Sequence, residues 1–306
     1  MRVTRDVGGG GGHPGRVLLL LSPGQGSQSA GMLEPWLGLP GAAERLATWS
    51  DLTGLDLVSL GTTAPDDVVR RTEVAQPLLT AVALLSGRAV LGAAVPDLVC
   101  GHSVGELSAA ALAGVLSDDD AVVLAAGRGR LMAEAAALRP TGMVALLGGE
   151  VDETDYHAAG LELATVNVAG QVVLGGPAEA LDAWTPPAGV RARRLDVAGA
   201  FHTSAMSSAV EGFAALVAGL EPGEPVCDVI ANADGAVLRS GREVLDRLVG
   251  QLTRPVRFDL CLAAATAATR AVELAPAGVL KALMRRALPD VPVTALKTPA
   301  DLLVTA

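Results

Sequence analysis

Aromatic residues are scarce in this chain of 306 residues: one Tyr, three Phe and three Trp. Base stacking on aromatic platforms therefore cannot carry its function. A formal net charge of -10 further argues against a nucleic-acid partner. Lysine occurs only at Lys281 and Lys297, so any basic site must be built from arginine. Cysteine is confined to Cys100, Cys227 and Cys261. Their odd number and the lack of a CxxC spacing suit neither a disulfide framework nor a structural zinc site, so a reducing cytoplasm and no bound metal are expected. Long hydrophobic runs are missing as well. The charge-free stretches Val74 to Gly87 and Leu107 to Ser117 fall short of the roughly 20 residues of a spanning helix, so no membrane partner is expected. The apolar run Val17 to Leu21 is too short for a signal peptide and follows five consecutive glycines. Residues 1–15 read as a disordered tail.

Half the residues are apolar and 18% are charged, with Gly 36 and Pro 18, which supplies a large core and many turns. Arg16 to Leu21 reads as a buried strand ended by the turn Ser22-Pro23-Gly24. Further strand candidates are Asp97 to Cys100, Val226 to Ile230, Ala271 to Leu274 and Val291 to Leu296. Helical patterns lie between most of them, and that alternation implies a parallel sheet covered by helices. The middle differs. Gly142 to Leu147, Ala164 to Val168, Gln171 to Leu174 and Arg191 to Val197 are short strands with little helix between them, which places a small α+β subdomain at 140–198. The large α/β part is then 16–139 together with 199–306.

Val99-Cys100-Gly101-His102-Ser103-Val104-Gly105 matches G-x-S-x-G after a strand candidate and before an Ala-rich helix. Glycines two residues either side of Ser103 let the chain turn tightly and expose the hydroxyl, and the Val104 N–H at the helix start can face a developing oxyanion. An ordinary tight turn would also account for the pattern, but its strand and helix flanks favour a nucleophile. A serine nucleophile needs a base, and the chain has only four histidines. His13 lies in the glycine tail, His102 adjoins the nucleophile and should point away from its hydroxyl, and His157 follows an acidic helix as a solvated residue. That leaves His202, in a loop before an amphipathic helix. A capping role is the other reading of His202.

The chain resembles the malonyl-CoA:acyl carrier protein transacylases, the acyltransferases of fatty acid and polyketide synthesis. The resemblance is carried in order by Pro23-Gly24-Gln25-Gly26-Ser27-Gln28, Gly101-His102-Ser103-Val104-Gly105-Glu106, Arg128-Gly129-Arg130-Leu131-Met132 and Val166-Asn167. It continues through Gly170-Gln171-Val172-Val173, Phe201-His202-Thr203, Asn232-Ala233-Asp234-Gly235, Gln251-Leu252-Thr253-Arg254-Pro255-Val256 and Glu273-Leu274-Ala275-Pro276-Ala277-Gly278. It implies an α/β-hydrolase-like large subdomain and a ferredoxin-like small one. By resemblance, Ser103 is the acylated nucleophile, His202 its base, and the Gln25 and Val104 N–H groups the oxyanion hole. Arg128 would hold the malonyl carboxylate, since a guanidinium fork grips a carboxylate through parallel hydrogen bonds that Lys cannot reproduce. Taken alone, an arginine on an Ala-rich helix is usually solvent-facing.

Acceptor groups near Gln251 would orient His202 in place of the usual carboxylate, with Asp196 as a less fitting acid. Phe201 and His102 are assigned to acyl selectivity and Asn167 to substrate binding, while Thr165 departs from the family's usual Asn. Arg191, Arg193, Arg194, Lys281, Arg285 and Arg286 are candidates for coenzyme A phosphates or an acidic carrier, and equally for a solvated face. The expected partners are malonyl-CoA and an acyl carrier protein bearing phosphopantetheine, with no other cofactor and a monomeric chain. Two alternatives share these residues. A serine esterase or thioesterase would want a well-placed loop carboxylate, which is not evident. A non-catalytic acyltransferase-like subunit has no chemical reason to keep Ser103, Arg128 and His202.

Overall fold

The computed structural model describes residues 17–149 and 151–304. The tail expected at 1–15 lies outside the described residues. In chain order the strands are β1 (Leu18–Ser22), β2 (Leu98–Gly101), β3 (Thr141–Leu147), β4 (Glu162–Val168), β5 (Gln171–Pro177) and β6 (Arg191–Arg194). They are followed by β7 (Asp228–Ile230), β8 (Val237–Leu238), β9 (Val256–Arg257), β10 (Arg270–Glu273) and β11 (Val293–Ala295).

The first sheet has the order β11-β10-β1-β2-β7-β8. Its central strand β1 is buried along its whole length and pairs in parallel with β10 on one side and β2 on the other. That double coverage explains why Leu18 to Leu21 is an unbroken apolar run rather than an alternating one. The sheet is parallel as expected except at its edge, where β8 pairs antiparallel to β7. β8 has only two residues, too few to show a period in sequence.

Helices α1 (Thr72–Leu91), α2 (Gly105–Leu112) and α3 (Asp118–Ala137) pack on one another beside this sheet. α1 is the one helix among the described residues long and apolar enough to cross a membrane, yet 83% of its apolar window is buried inside the fold. It is longer than the charge-free run at its centre because Arg88 is tolerated near its end. There Arg88 pairs with Asp118 at 2.7 Å and donates to the Ala111 carbonyl at 3.0 Å, tying α1 to the start of α3. α3 begins at Ser117, whose hydroxyl accepts from the Asp120 N–H at 3.0 Å. That cap is an S-x-x-D pattern.

The second sheet has the order β6-β3-β5-β4-β9. Strands β3 to β6 with the short helices Glu153–Ala158 and Ala178–Ala183 form a βαββαβ unit, with the antiparallel pairing of a ferredoxin-like fold. Its own apolar core includes Val144, Leu146, Tyr156, Leu161, Leu174 and Leu181. The fifth strand corrects the sequence reading. β9 comes from far along the chain and adds in parallel to β4, so the small sheet is not built from 140–198 alone. Arg286 also reaches across, donating to the Gln171 side-chain oxygen and the Ala169 carbonyl, each at 3.0 Å. The last strand of the unit is shorter than expected, ending at Arg194.

Replacing the Ser117 cap tests how α3 is anchored. Ser117→Ala should lower stability by about 1 kcal/mol, the usual worth of an N-cap, read as a lower urea midpoint with an unchanged slope.

Candidate active site

Ser103 sits at the step from β2 into α2, and its backbone is left-handed, with φ of 53°. The flanking glycines are required by contact. A Cβ on Gly101 would lie 2.0 Å from the Gly105 carbonyl carbon, and one on Gly105 would lie 2.3 Å from the Ser22 carbonyl oxygen. The turn is thus wedged against the end of β1. Gly24 meets the same limit, since a Cβ there would come 2.4 Å from the His102 carbonyl oxygen. That close approach seats the Gln25 turn directly on the elbow.

His202 is the other left-handed non-glycine residue among the described residues, with φ of 62°. Strained backbone of this kind persists only where the surroundings over-determine it. Ser103 Oγ and His202 Nε2 are 2.7 Å apart, and His202 Nδ1 lies 2.9 Å from the Gln251 carbonyl oxygen. A carbonyl can only accept, so Nδ1 carries the proton and Nε2 is free to accept from the serine. Gln251 therefore orients the imidazole through its main chain. Asp196 does not: it is exposed and pairs with Arg70 at 3.4 Å.

Arg128 faces inward from α3, 2% exposed. Nη1 donates to the Gln76 side-chain oxygen at 2.7 Å, and Nη2 donates to the Gln251 side-chain oxygen at 2.7 Å and to Ser103 Oγ at 3.3 Å. Its neighbour Arg130 is exposed and pairs with Glu134. Beneath the elbow lies a polar cluster. Asn232 Oδ1 accepts from the Ser103 N–H at 2.8 Å while its Nδ2 donates to the Gly101 carbonyl at 2.6 Å. The Glu106 carboxylate accepts from the Asn232 N–H at 2.6 Å and from the Gln251 side-chain amide.

The electrostatics follow from burial. Burial and the Arg128 cation push the His202 pKa down to about 3, keeping the imidazole neutral. Burial pushes Glu106 up to about 7, against the opposing pull of the Asn232 N–H and of Arg128. Burial lowers Arg128 only to about 10, so it stays charged.

These groups adjoin a cleft of about 180 Å³ lined in part by Gln25, Gln76, His102, Ser103, Asn167, Phe201 and His202. The second sheet contributes Met143, Thr165, Asn167 and Val173. His102 points away from the Ser103 hydroxyl as expected. Its Nε2 lies 3.0 Å from Asn167 Oδ1, and its ring packs on Phe258 at 5.1 Å. Gln25 anchors its side chain on Thr72 Oγ1 at 3.2 Å. Among the described residues no protein acceptor engages the main-chain N–H of Gln25 or of Val104. Of the basic candidates, Arg194 is paired with Asp182 and Arg286 is spent on the second sheet.

Three polar residues of this cluster carry no role in the sequence reading: Gln76, Glu106 and Asn232. Gln76 is the polar interruption of the apolar run Val74 to Gly87, a visible but unspecific signal. Glu106 and Asn232 lie inside matched motifs, but their partners are 145 and 129 residues away in sequence.

The fold and the serine–histidine pair define a class, the α/β enzymes built around a serine elbow. Within that class, the model of the acyl transferase domain family matches residues 20–299, and the chain belongs to this family. It is 48% identical to the malonyl CoA-acyl carrier protein transacylase of Mycobacterium tuberculosis, over 94% of this chain and 98% of that protein. The crystal structure of MCAT from Mycobacterium tuberculosis superposes with a TM-score of 0.90, covering 95% of this chain and all of that one. A malonyl-transacylase solved in complex with a type II polyketide acyl-carrier protein matches at 30% identity and a TM-score of 0.85, covering 94% and 98%.

The neutral His202 has a consequence for stability. Its folded pKa lies below the 6.5 of a free histidine, so its contribution is complete above pH 6.5 and is lost as pH falls toward 3. Between pH 7.5 and 5.0 the wild type should lose about 2 kcal/mol more unfolding free energy than His202→Asn. Urea melts at the two pH values measure this, and Asn tolerates the left-handed backbone.

Proposed function

We propose that this chain transfers a malonyl group from malonyl-CoA to the phosphopantetheine thiol of an acyl carrier protein, through a malonyl-serine intermediate and in the cytoplasm. The observation that carries this reading is a buried arginine, bonded only to neutral oxygens, whose guanidinium touches the hydroxyl of a serine already bonded to a neutral histidine. In an esterase such a cation would have no task. In a malonyl transferase it meets the carboxylate that distinguishes the acyl group.

Ser103 Oγ attacks the thioester carbonyl as its proton passes to His202 Nε2, and the Gln25 and Val104 N–H groups take the oxyanion. The carbon–sulfur bond then breaks, and the proton moves from Nε2 to the sulfur of departing coenzyme A. The carrier thiol gives its proton to the same nitrogen and attacks the serine ester. The carbon–oxygen bond breaks, and the proton returns to Ser103 Oγ. No metal or redox group enters either half.

Arg128 links substrate identity to basicity. Burial and the Arg128 charge depress the His202 pKa, and a bound malonyl carboxylate offsets that charge, so the imidazole becomes a better base when the right acyl group is present. Phe201, 5% exposed and lining the cleft, restricts an α-branched acyl group, and His102 and Asn167 line the same cleft. Residues 16–139 and 199–306 supply nucleophile, base and arginine, and 140–198 supplies the wall that includes Asn167. The chain acts as a monomer.

Intact-protein mass spectrometry after brief incubation with malonyl-CoA tests the reading. Wild type should gain one malonyl group and Ser103→Ala none. His202→Ala should load more slowly by about 100-fold or more, the usual worth of a general base. Arg128→Ala should lose malonyl loading by about 10- to 150-fold, the range for a hydrogen bond to a charged group, while acetyl-CoA gains relative to malonyl-CoA. A wild type that remains unmodified overturns the reading.

A further inference from the structure

Glu106 is the second residue of α2, is 8% exposed and does not line the cleft. Its two carboxylate oxygens meet two different donors. Oε1 accepts from the Asn232 N–H at 2.6 Å, and Oε2 accepts from the Gln251 side-chain amide. The oxygen of that same Gln251 side chain accepts from Arg128 Nη2 at 2.7 Å. A guanidinium can only donate and an ionised carboxylate can only accept. The Gln251 amide therefore has one workable orientation. Turned round, it would set donor against donor at Arg128 and oxygen against oxygen at Glu106.

This arrangement needs a carboxylate and not merely a polar group. An amide at position 106, or the protonated acid, carries hydrogen at one of the two places where an acceptor is needed, and so leaves Asn232 or Gln251 facing a donor. Both of those residues hold the reacting groups. Asn232 accepts from the Ser103 N–H at 2.8 Å, and the Gln251 carbonyl oxygen lies 2.9 Å from His202 Nδ1. Gln251 Nε2 also reaches the Ser103 carbonyl at 3.1 Å and Asn232 Oδ1 at 3.3 Å. The supports of nucleophile, base and cation thus converge on one carboxylate.

We infer that Glu106 is a positioning residue for acyl-serine formation: its ionised carboxylate locks the Gln251 side chain in the orientation that serves Arg128, and so steadies the main-chain carbonyl that orients His202. The inference rests on the malonyl-transfer reading. Burial pushes the Glu106 carboxyl up to about 7, against the pull of the Asn232 N–H, Arg128, the Gln251 amide and Arg247, so the lock opens near neutral pH. The other titratable groups around it keep their state there. Arg128 on α3 and Arg247 on the helix Gly241–Gly250 stay cationic. The Cys100 thiol on β2, bonded to Cys261 and buried, is pushed up and stays neutral, and burial lowers both His102 and His202. The ionised form of Glu106 is the active one, so loading falls as pH drops and Glu106 takes up its proton.

The test measures kcat/KM for malonyl-serine formation at pH 8 and pH 6 in wild type and Glu106→Gln, because kcat/KM reports the ionisations of the free enzyme. Taking the ratio of the two proteins at each pH cancels any ionisation of the substrate. Glutamine imitates the protonated acid, so the variant should be slower than wild type by about 10-fold at pH 8 and within about twofold of it at pH 6. A ratio that is the same at both pH values overturns the inference, since a merely structural role gives a uniform loss. So does a variant as fast as wild type at pH 8. Thermal melting checks that the variant is folded. If it is not, Gln251→Leu, which removes the amide that Glu106 holds, takes the same measurement: its ratio to wild type should shrink from pH 8 to pH 6 in the same way, and a constant ratio overturns the inference. Either of these failures, with wild type loading malonyl, overturns this inference alone. Wild type that loads no malonyl overturns the malonyl-transfer reading and this inference with it.

Discussion

A guanidinium held inside the protein with no carboxylate bonded to it is the constraint around which this site is arranged. Burial of a cation is costly unless its donors are satisfied, and Arg128 meets that need with the side-chain oxygens of Gln76 and Gln251 and with Ser103 Oγ. These are neutral acceptors. They satisfy geometry while leaving the charge available, and the nearest countercharge, Glu106, acts from behind Gln251. Burial, with this charge beside it, keeps the neighbouring imidazole neutral. In the proposed reading, selectivity and base strength both draw on this one buried charge.

Backbone strain is concentrated where the chemistry is. Ser103 and His202 both adopt the left-handed conformation, and each is held by hydrogen bonds from elsewhere in the chain. Asn232 fixes the Ser103 N–H and Gln251 fixes the His202 ring. Gln251 is the joint between these parts, because it contacts Arg128, His202, Glu106 and the Ser103 carbonyl. A carbonyl acceptor replaces the carboxylate familiar from hydrolytic triads. It orients the histidine without adding a negative charge, and that leaves Arg128 as the local charge the imidazole responds to.

The two sheets divide the labour. The parallel sheet ends in the elbow, and the ferredoxin-like unit adds Thr165 and Asn167 and an apolar wall to the cleft. Among the contacts that join them are β9 and Arg286, both from the C-terminal part of the chain. Asn167 meets His102, so the small unit contributes to the same cleft as the elbow.

The sequence by itself determined what short range can encode. The apolar run of β1 requires a buried strand, and the glycines around Ser103 require a tight turn. With only four histidines, elimination pointed to His202, and ordered motif resemblance added Arg128, Gln251 and the two oxyanion donors. Tertiary structure alone decided which polar residues meet. Gln76, Glu106 and Asn232 lie on three separate elements, and a buried amide or carboxylate has no local period that names its partner. The same holds for β8 and β9, two residues each, where pairing with a distant strand and not local pattern fixes the conformation. Local chemistry sets turns, caps and strand runs because its energy depends on near neighbours. A site assembled from residues more than a hundred positions apart exists only once the core has brought them within hydrogen-bond reach.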